Sequence, residues 1–167
     1  MPNKAQTPTH AHRWVVFFAV ALAVLAYVDR VAISQAGPVI AREMNFNKAQ
    51  MGTVFGAFIL GYALFEIPGA WLADWLGPRK ALIRIVTWWS AFTALTGMAA
   101  GFQSLIAIRF LFGAGEAGAF PTIAKSLSTW LPVKERTRVQ GMLWTATHWS
   151  GAITPPLIIF LLGVRHA

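Results

Sequence analysis

Long apolar runs alternate with short polar ones along most of this chain. Five runs are long enough to cross a bilayer as α-helices, which takes about 20 residues. The pattern predicts helices over Trp14–Gln35, Met51–Trp75, Ala81–Phe102, Ser104–Leu127 and Val139–Gly163. The connection between the first two is GPVIAREMNFNKAQ. That between the second and third is short, with Asp74, Arg79 and Lys80. A tight uncharged turn is expected around Gly101, Phe102 and Gln103, and LPVKERTR joins the last two helices.

Charge fixes an expected orientation. The N-terminal stretch and the 2–3 and 4–5 connections hold Lys4, Arg13, Arg79, Lys80, Lys134, Arg136 and Arg138. The opposite side holds only Arg42, Lys48 and Arg165. Cytoplasmic loops carry the excess of Lys and Arg, so the N-terminus is expected in the cytoplasm. Residues 1–13 read as a cytoplasmic tail and 14–167 as one transmembrane bundle. A signal peptide fits poorly, because the first apolar run is long and no clear cleavage site follows it. The final GVRHA reads as the start of a loop, which makes an incomplete chain the expectation.

Composition agrees. Of 167 residues, 56% are hydrophobic and only 12% charged, where a soluble domain carries about 25% charged residues. The absence of cysteine excludes disulfides and thiolate metal sites. The net charge of +8 is explained by topology, so nucleic acid is not an expected partner. Trp14, Trp71, Trp75 and Trp130 fall near predicted interfaces and read as belt residues.

Against this background the intramembrane charges stand out. Asp29 and Arg30 follow WVVFFAVALAVLAYV, and Arg109 and Glu116 lie inside LIAIRFLFGAGEAGAF. A charge at membrane depth costs at least ~2.5–3.5 kcal/mol and by default marks function. Arg109 and Glu116 are seven residues apart, which places them on one helix face about 10 Å apart along the axis. Gly113 lies on that face. Burial favours the protonated form of a carboxylate and a neighbouring arginine favours the ionised form, so a switchable arginine contact gives a basis for proton coupling. An arginine without an internal partner is a fork-shaped receptor for a carboxylate. The competing reading is that both sets are internal ion pairs that only fix packing.

Other features are weighed similarly. Glu66 is read as a structural partner of Arg84 in preference to a second proton site. Tyr62, one turn earlier, offers a hydroxyl. The fifth helix carries Thr145, Thr147, His148, Ser150 and Thr154 before Pro155 and Pro156. His148 taken alone is as readily a packed residue as a ligand contact, and no neighbouring His or Cys suggests a metal. Gly52 and Gly56, Gly97 and Gly101, and Gly113, Gly115 and Gly118 read as close helix packing. Gly113–Gly118 also matches G-x-G-x-x-G, but mid-helix it lacks the strand-to-helix context of a dinucleotide site.

Three motifs together resemble one family. Ala70–Lys80 (AWLADWLGPRK) resembles the loop 2–3 signature of the major facilitator superfamily, with Ala70 in place of the leading glycine and Trp75 in place of a basic residue. Tyr27–Arg30 resembles the Y-x-D-R of its anion:cation symporter branch. Arg109–Pro121 resembles that branch's helix 4 signature, and Trp130-Leu131-Pro132 with Glu135-Arg136 fits its 4–5 loop. The resemblance implies an all-α membrane protein whose five helices form most of an N-terminal six-helix bundle. It also implies that a C-terminal half is missing. It gives Arg30 the substrate carboxylate, Asp29 and Glu116 the protons, and Arg109 a supporting ion pair. Tyr62 and His148 become substrate contacts, and Asp74, Gly77, Arg79 and Lys80 a conformational gate loop.

The expected function is therefore proton-coupled uptake of a small organic anion, such as a sugar acid, by alternating access in a bacterial inner membrane. No cofactor, metal or catalytic residue is expected. The rivals are a proton-driven antiporter with another substrate class and a membrane protein that transports nothing. An intramembrane enzyme is disfavoured by the lack of Cys, HExxH and GxSxG.

Overall fold

A computed structural model describes residues 10–165; residues 1–9, most of the expected tail, and 166–167 lie outside it. The described residues form α1 (His10–Glu43), α2 (Lys48–Leu76), α3 (Pro78–Thr96), α4 (Phe102–Glu116), α5 (Ala119–Trp130) and α6 (Val133–Arg165). No strand occurs among them. All five expected spans are helical, with α4 and α5 together occupying the fourth.

The boundaries differ for identifiable reasons. α1 begins inside the expected tail, at His10, and runs through Pro38 to Glu43 rather than stopping at Gln35. Just before Pro38, Gly37 faces the Phe55 ring of α2. It ends where Asn45 takes φ 55° and the Phe46 N–H reaches the Ala41 carbonyl at 2.8 Å, a left-handed cap that Asn tolerates. α2 opens with a reciprocal cap: Asn47 Oδ1 accepts from the Gln50 N–H and Gln50 Oε1 from the Asn47 N–H, both at 2.9 Å. α3 stops at Thr96, so the 3–4 turn lies over 97–101, just before the expected position. The predicted fourth helix breaks at Ala117–Gly118. Pro121 explains the break: it has no N–H for the Ala117 carbonyl, and its ring crowds that oxygen.

The described residues fall into two compact units, one reaching up to Gln35 and resuming at Ala124, the other Ala36–Ile123. In the second unit α2 packs mainly on α4, and α3 packs on both. A Cβ at Gly61 would overlap the Phe110 carbonyl oxygen, and one at Gly113 would overlap that of Phe58. Further along, a Cβ at Gly69 would lie 3.0 Å from the Gly118 nitrogen. The two backbones therefore touch at successive glycines, as close helix approach in lipid requires. The expected GxxxG contacts are elsewhere in space: Gly52, Gly56 and Gly101 face nothing within 4 Å, and Gly97 meets only its own helix end. Gly115 receives the Trp88 ring, whose Nε1 donates to the Leu111 carbonyl at 2.9 Å.

In the other unit, α1 buries the small stripe Ala19, Ala23 and Ala26. α6 buries Val139, Leu143, Thr147, Ser150 and Thr154. The three hydroxyls on that stripe return to α6 carbonyls at 2.7–2.8 Å, so they enter the packed face without orphaned donors. Arg136 donates from Nε to the Leu131 carbonyl at 3.0 Å and from a terminal nitrogen to that of Ser128. It thereby satisfies carbonyls at the end of α5 with a cation, the favourable sign at a helix C-terminus.

Gly77 alone joins α2 to α3, at φ 78° and ψ 153°. That region is essentially reserved for glycine and costs other residues ~1–3 kcal/mol. Pro78 then starts α3 with its fixed φ. Gly77→Ala is expected to lower the thermal midpoint in detergent by several degrees. Gly101→Ala, at an extended φ of 174° with open space around it, is expected to leave it unchanged. Equal midpoints for both variants would contradict the strain assigned to Gly77.

Candidate functional site

The expected site residues lie in three places. Asp29, Arg30 and His148 belong to the unit containing α6. Tyr62, Arg109 and Glu116 belong to the unit built on α2 and α4, as does the loop with Asp74, Gly77, Arg79 and Lys80.

On α1, Asp29 and Arg30 are half-buried. The Arg30 guanidinium carbon lies 5.9 Å from the centroid of the Tyr27 ring. That ring is also 6.2 Å from the ring of His148. Two of the three residues expected to contact substrate, Arg30 and His148, thus bracket one tyrosine, which the sequence singled out only as a motif letter. His148 is exposed, and its Nδ1 lies 2.7 Å from the Trp144 carbonyl oxygen. A carbonyl only accepts, so Nδ1 carries the hydrogen in this contact. His148 is thus an exposed imidazole on α6 beside Tyr27.

On α4, Arg109 and Glu116 are buried, Glu116 completely. Gly113, between them, is where α4 meets the α2 backbone at Phe58 and Tyr62. The same approach brings the Phe58 ring to Arg109. The guanidinium carbon is 5.0 Å from the Phe58 centroid and 4.6 Å from that of Phe112. Their centroids are 5.7 Å apart, with the ring planes inclined by 50°. A desolvated cation–π contact is worth ~2 kcal/mol, a large share of the ~2.5–3.5 kcal/mol insertion cost of the charge. Tyr62 is half-buried, its ring 6.1 Å from that of Phe58. Glu116 closes α4 immediately before the break that Pro121 enforces.

Glu66 is exposed on α2 and Arg84 exposed on α3. No ion pair joins them among the described residues, so the expected structural pairing is not made. In the 2–3 loop Asp74, Arg79 and Lys80 are exposed around the strained Gly77.

Phe58 and Phe112 were not singled out in the sequence. Phe112 carried a readable signal, three residues after Arg109 and hence one turn away. Phe58 carried none, since only the α2–α4 crossing brings it there.

The model of the major facilitator superfamily matches residues 19–166. This chain belongs to the major facilitator superfamily. It corresponds to the N-terminal part of that fold, and the protein is a multi-pass integral membrane protein. A probable sulfoacetate transporter of Cupriavidus necator is 44% identical over 83% of this chain and 32% of its own length. A hexuronate transporter of Bacillus subtilis is 36% identical over 86% of this chain and 34% of its own. A quinolone resistance transporter of Acinetobacter baumannii is 34% identical over 87% and 33%. The chain thus spans about a third of the length of these relatives. Among solved structures, a bacterial homolog of the human lysosomal transporter Spinster, inward-facing and unoccupied, superposes with a TM-score of 0.80 at 28% identity. That match covers 89% of this chain and 31% of the other.

Proposed function

We propose that this chain carries the anion- and proton-binding residues of a proton-coupled importer of small organic anions. The observation that carries the reading is the cluster of Arg30, Tyr27 and His148, a guanidinium beside two polar rings on helices of a membrane protein. Arg30 holds the substrate carboxylate as a bidentate fork. Tyr27 and His148 supply neighbouring polar contacts, and Tyr62 of the other unit offers a hydroxyl for a substrate contact of its own. Asp29 and Glu116 exchange protons, with Arg109 supporting Glu116 from the same helix face. Rocking between inward- and outward-facing states gives alternating access, with Gly77 and its charged neighbours as the gate loop. The N-terminus is cytoplasmic in a bacterial inner membrane. Relatives named for sulfoacetate and hexuronate support an anionic substrate, because both compounds carry a carboxylate.

A second reading is favoured by one relative, the quinolone resistance transporter: proton-driven export of a drug. The two readings separate in vesicles containing the product of the complete reading frame that encodes this chain. Under an inward proton gradient, labelled hexuronate or sulfoacetate is expected to accumulate, and dissipating the gradient abolishes accumulation. Asp29→Asn and Glu116→Gln are expected to lose gradient-driven accumulation but keep anion exchange at equal pH. Quinolone efflux with no anion uptake would replace this reading with the second.

A further inference from the structure

We propose that Phe112 and Phe58 are positioning residues that clamp Arg109 through their ring electrons. The inference deepens the function proposed above, which assigns Arg109 a supporting role without saying what holds it. Arg109 is buried, and both ring centroids lie within 5.0 Å of its guanidinium carbon. The arrangement follows from the backbone. Gly113, one turn after Arg109, lets the Phe58 carbonyl approach α4 with no Cβ between, so the Phe58 ring reaches back over the guanidinium. Phe112, three residues after Arg109 on the same helix, supplies the second ring. Each π face carries negative charge toward the cation. The clamp stabilises the charge of Arg109 from a source that cannot titrate. Arg109 therefore keeps its place whether Glu116 is protonated or ionised, as a support for a proton-exchanging group must.

A ring that merely fills space and a ring that binds a cation differ in their response to fluorination. Fluorine withdraws electron density from the face and changes shape little. The test incorporates mono-, di- and trifluorophenylalanine at position 112 of the full chain in detergent or vesicles. Reaction of Arg109 with phenylglyoxal is read by mass spectrometry of its peptide, and anion uptake is measured in parallel. The labelling rate is expected to climb stepwise with each fluorine, to about tenfold for the trifluoro ring, on the scale of one desolvated cation–π contact. Phe112→Leu should label at least as fast, and Phe112→Tyr close to the native rate. Thermal midpoints across the fluorinated series should fall gradually, by a few degrees at most for the trifluoro ring, in step with the lost cation–π energy. A labelling rate that does not respond to fluorination overturns the clamp. Stepwise labelling with unchanged uptake upholds the clamp and removes Arg109 from the transport mechanism, so the two ideas fail separately.

Discussion

Gly113→Ala is expected to lower the thermal midpoint of the chain in detergent by about 4–12 °C, from an overpacking cost of ~2–3 kcal/mol spread over a chain of this size. The added Cβ would overlap the Phe58 carbonyl oxygen and lie 3.0 Å from the Tyr62 nitrogen. Both are backbone atoms inside a helix, so neither can rotate away. The helices must separate, which also loosens the contacts at Gly61 and at Gly69 with Gly118. Gly52→Ala and Gly56→Ala provide the comparison, since each adds the same methyl to α2 where nothing lies within 4 Å. They are expected to shift the midpoint by little, with helix propensity favouring alanine by ~1 kcal/mol. The outcome that would defeat this account of α2–α4 packing is a Gly113→Ala midpoint level with that of Gly52→Ala. Because Phe58 reaches Arg109 through the same contact, Gly113→Ala should also raise Arg109 labelling.

Arg30→Ala is expected to cut anion uptake at sub-saturating substrate at least ~100-fold, through a loss in apparent affinity. Each hydrogen bond to a charged group is worth ~1.5–3 kcal/mol, and a fork supplies two. Arg30→Lys should retain part of that affinity, because lysine keeps the charge and loses the planar fork. Transport kinetics of the complete reading frame's product, measured for a carboxylate substrate and a neutral analogue, provide the check. The loss should appear mainly in KM and should be specific to the carboxylate. Uptake of the carboxylate with unaltered KM in Arg30→Ala would remove Arg30 from the binding site and take the proposed function with it.

The helices were legible because lipid imposes a blunt requirement: a span must be apolar for about 20 residues. α2 shows this well, with Lys48–Leu76 observed against Met51–Trp75 expected. The charged candidates stood out for the complementary reason, since Arg30, Arg109 and Glu116 are conspicuous in apolar surroundings. What escaped depended on a second helix. Nothing in α4 alone announces that Gly113 meets Phe58, and nothing in α2 alone selects Gly61 and Gly69 over Gly52 and Gly56. Proline effects were legible only in part. Pro121 breaks the fourth span while Pro38 leaves α1 continuous, so a proline alone did not locate the break. The Glu66–Arg84 pairing failed because opposite charges on adjacent helices do not specify where either side chain points.

The division of the chain into two units has a consequence for its synthesis. One unit joins residues up to Gln35 with those from Ala124 onward, while the other is continuous in sequence. α1 therefore leaves the ribosome roughly a hundred residues before α6, an interval of about 5–20 s at ordinary elongation rates. During that time Ala36–Ile123 can assemble from local partners, while the part of α1 up to Gln35 cannot. The helix that waits is also the more apolar of the two described helices long and apolar enough to cross a membrane, with mean hydropathy 2.1 against 1.5 for α2. Its surplus of apolar side chains carries Asp29 and Arg30 into the bilayer before α6, and with it His148, exists.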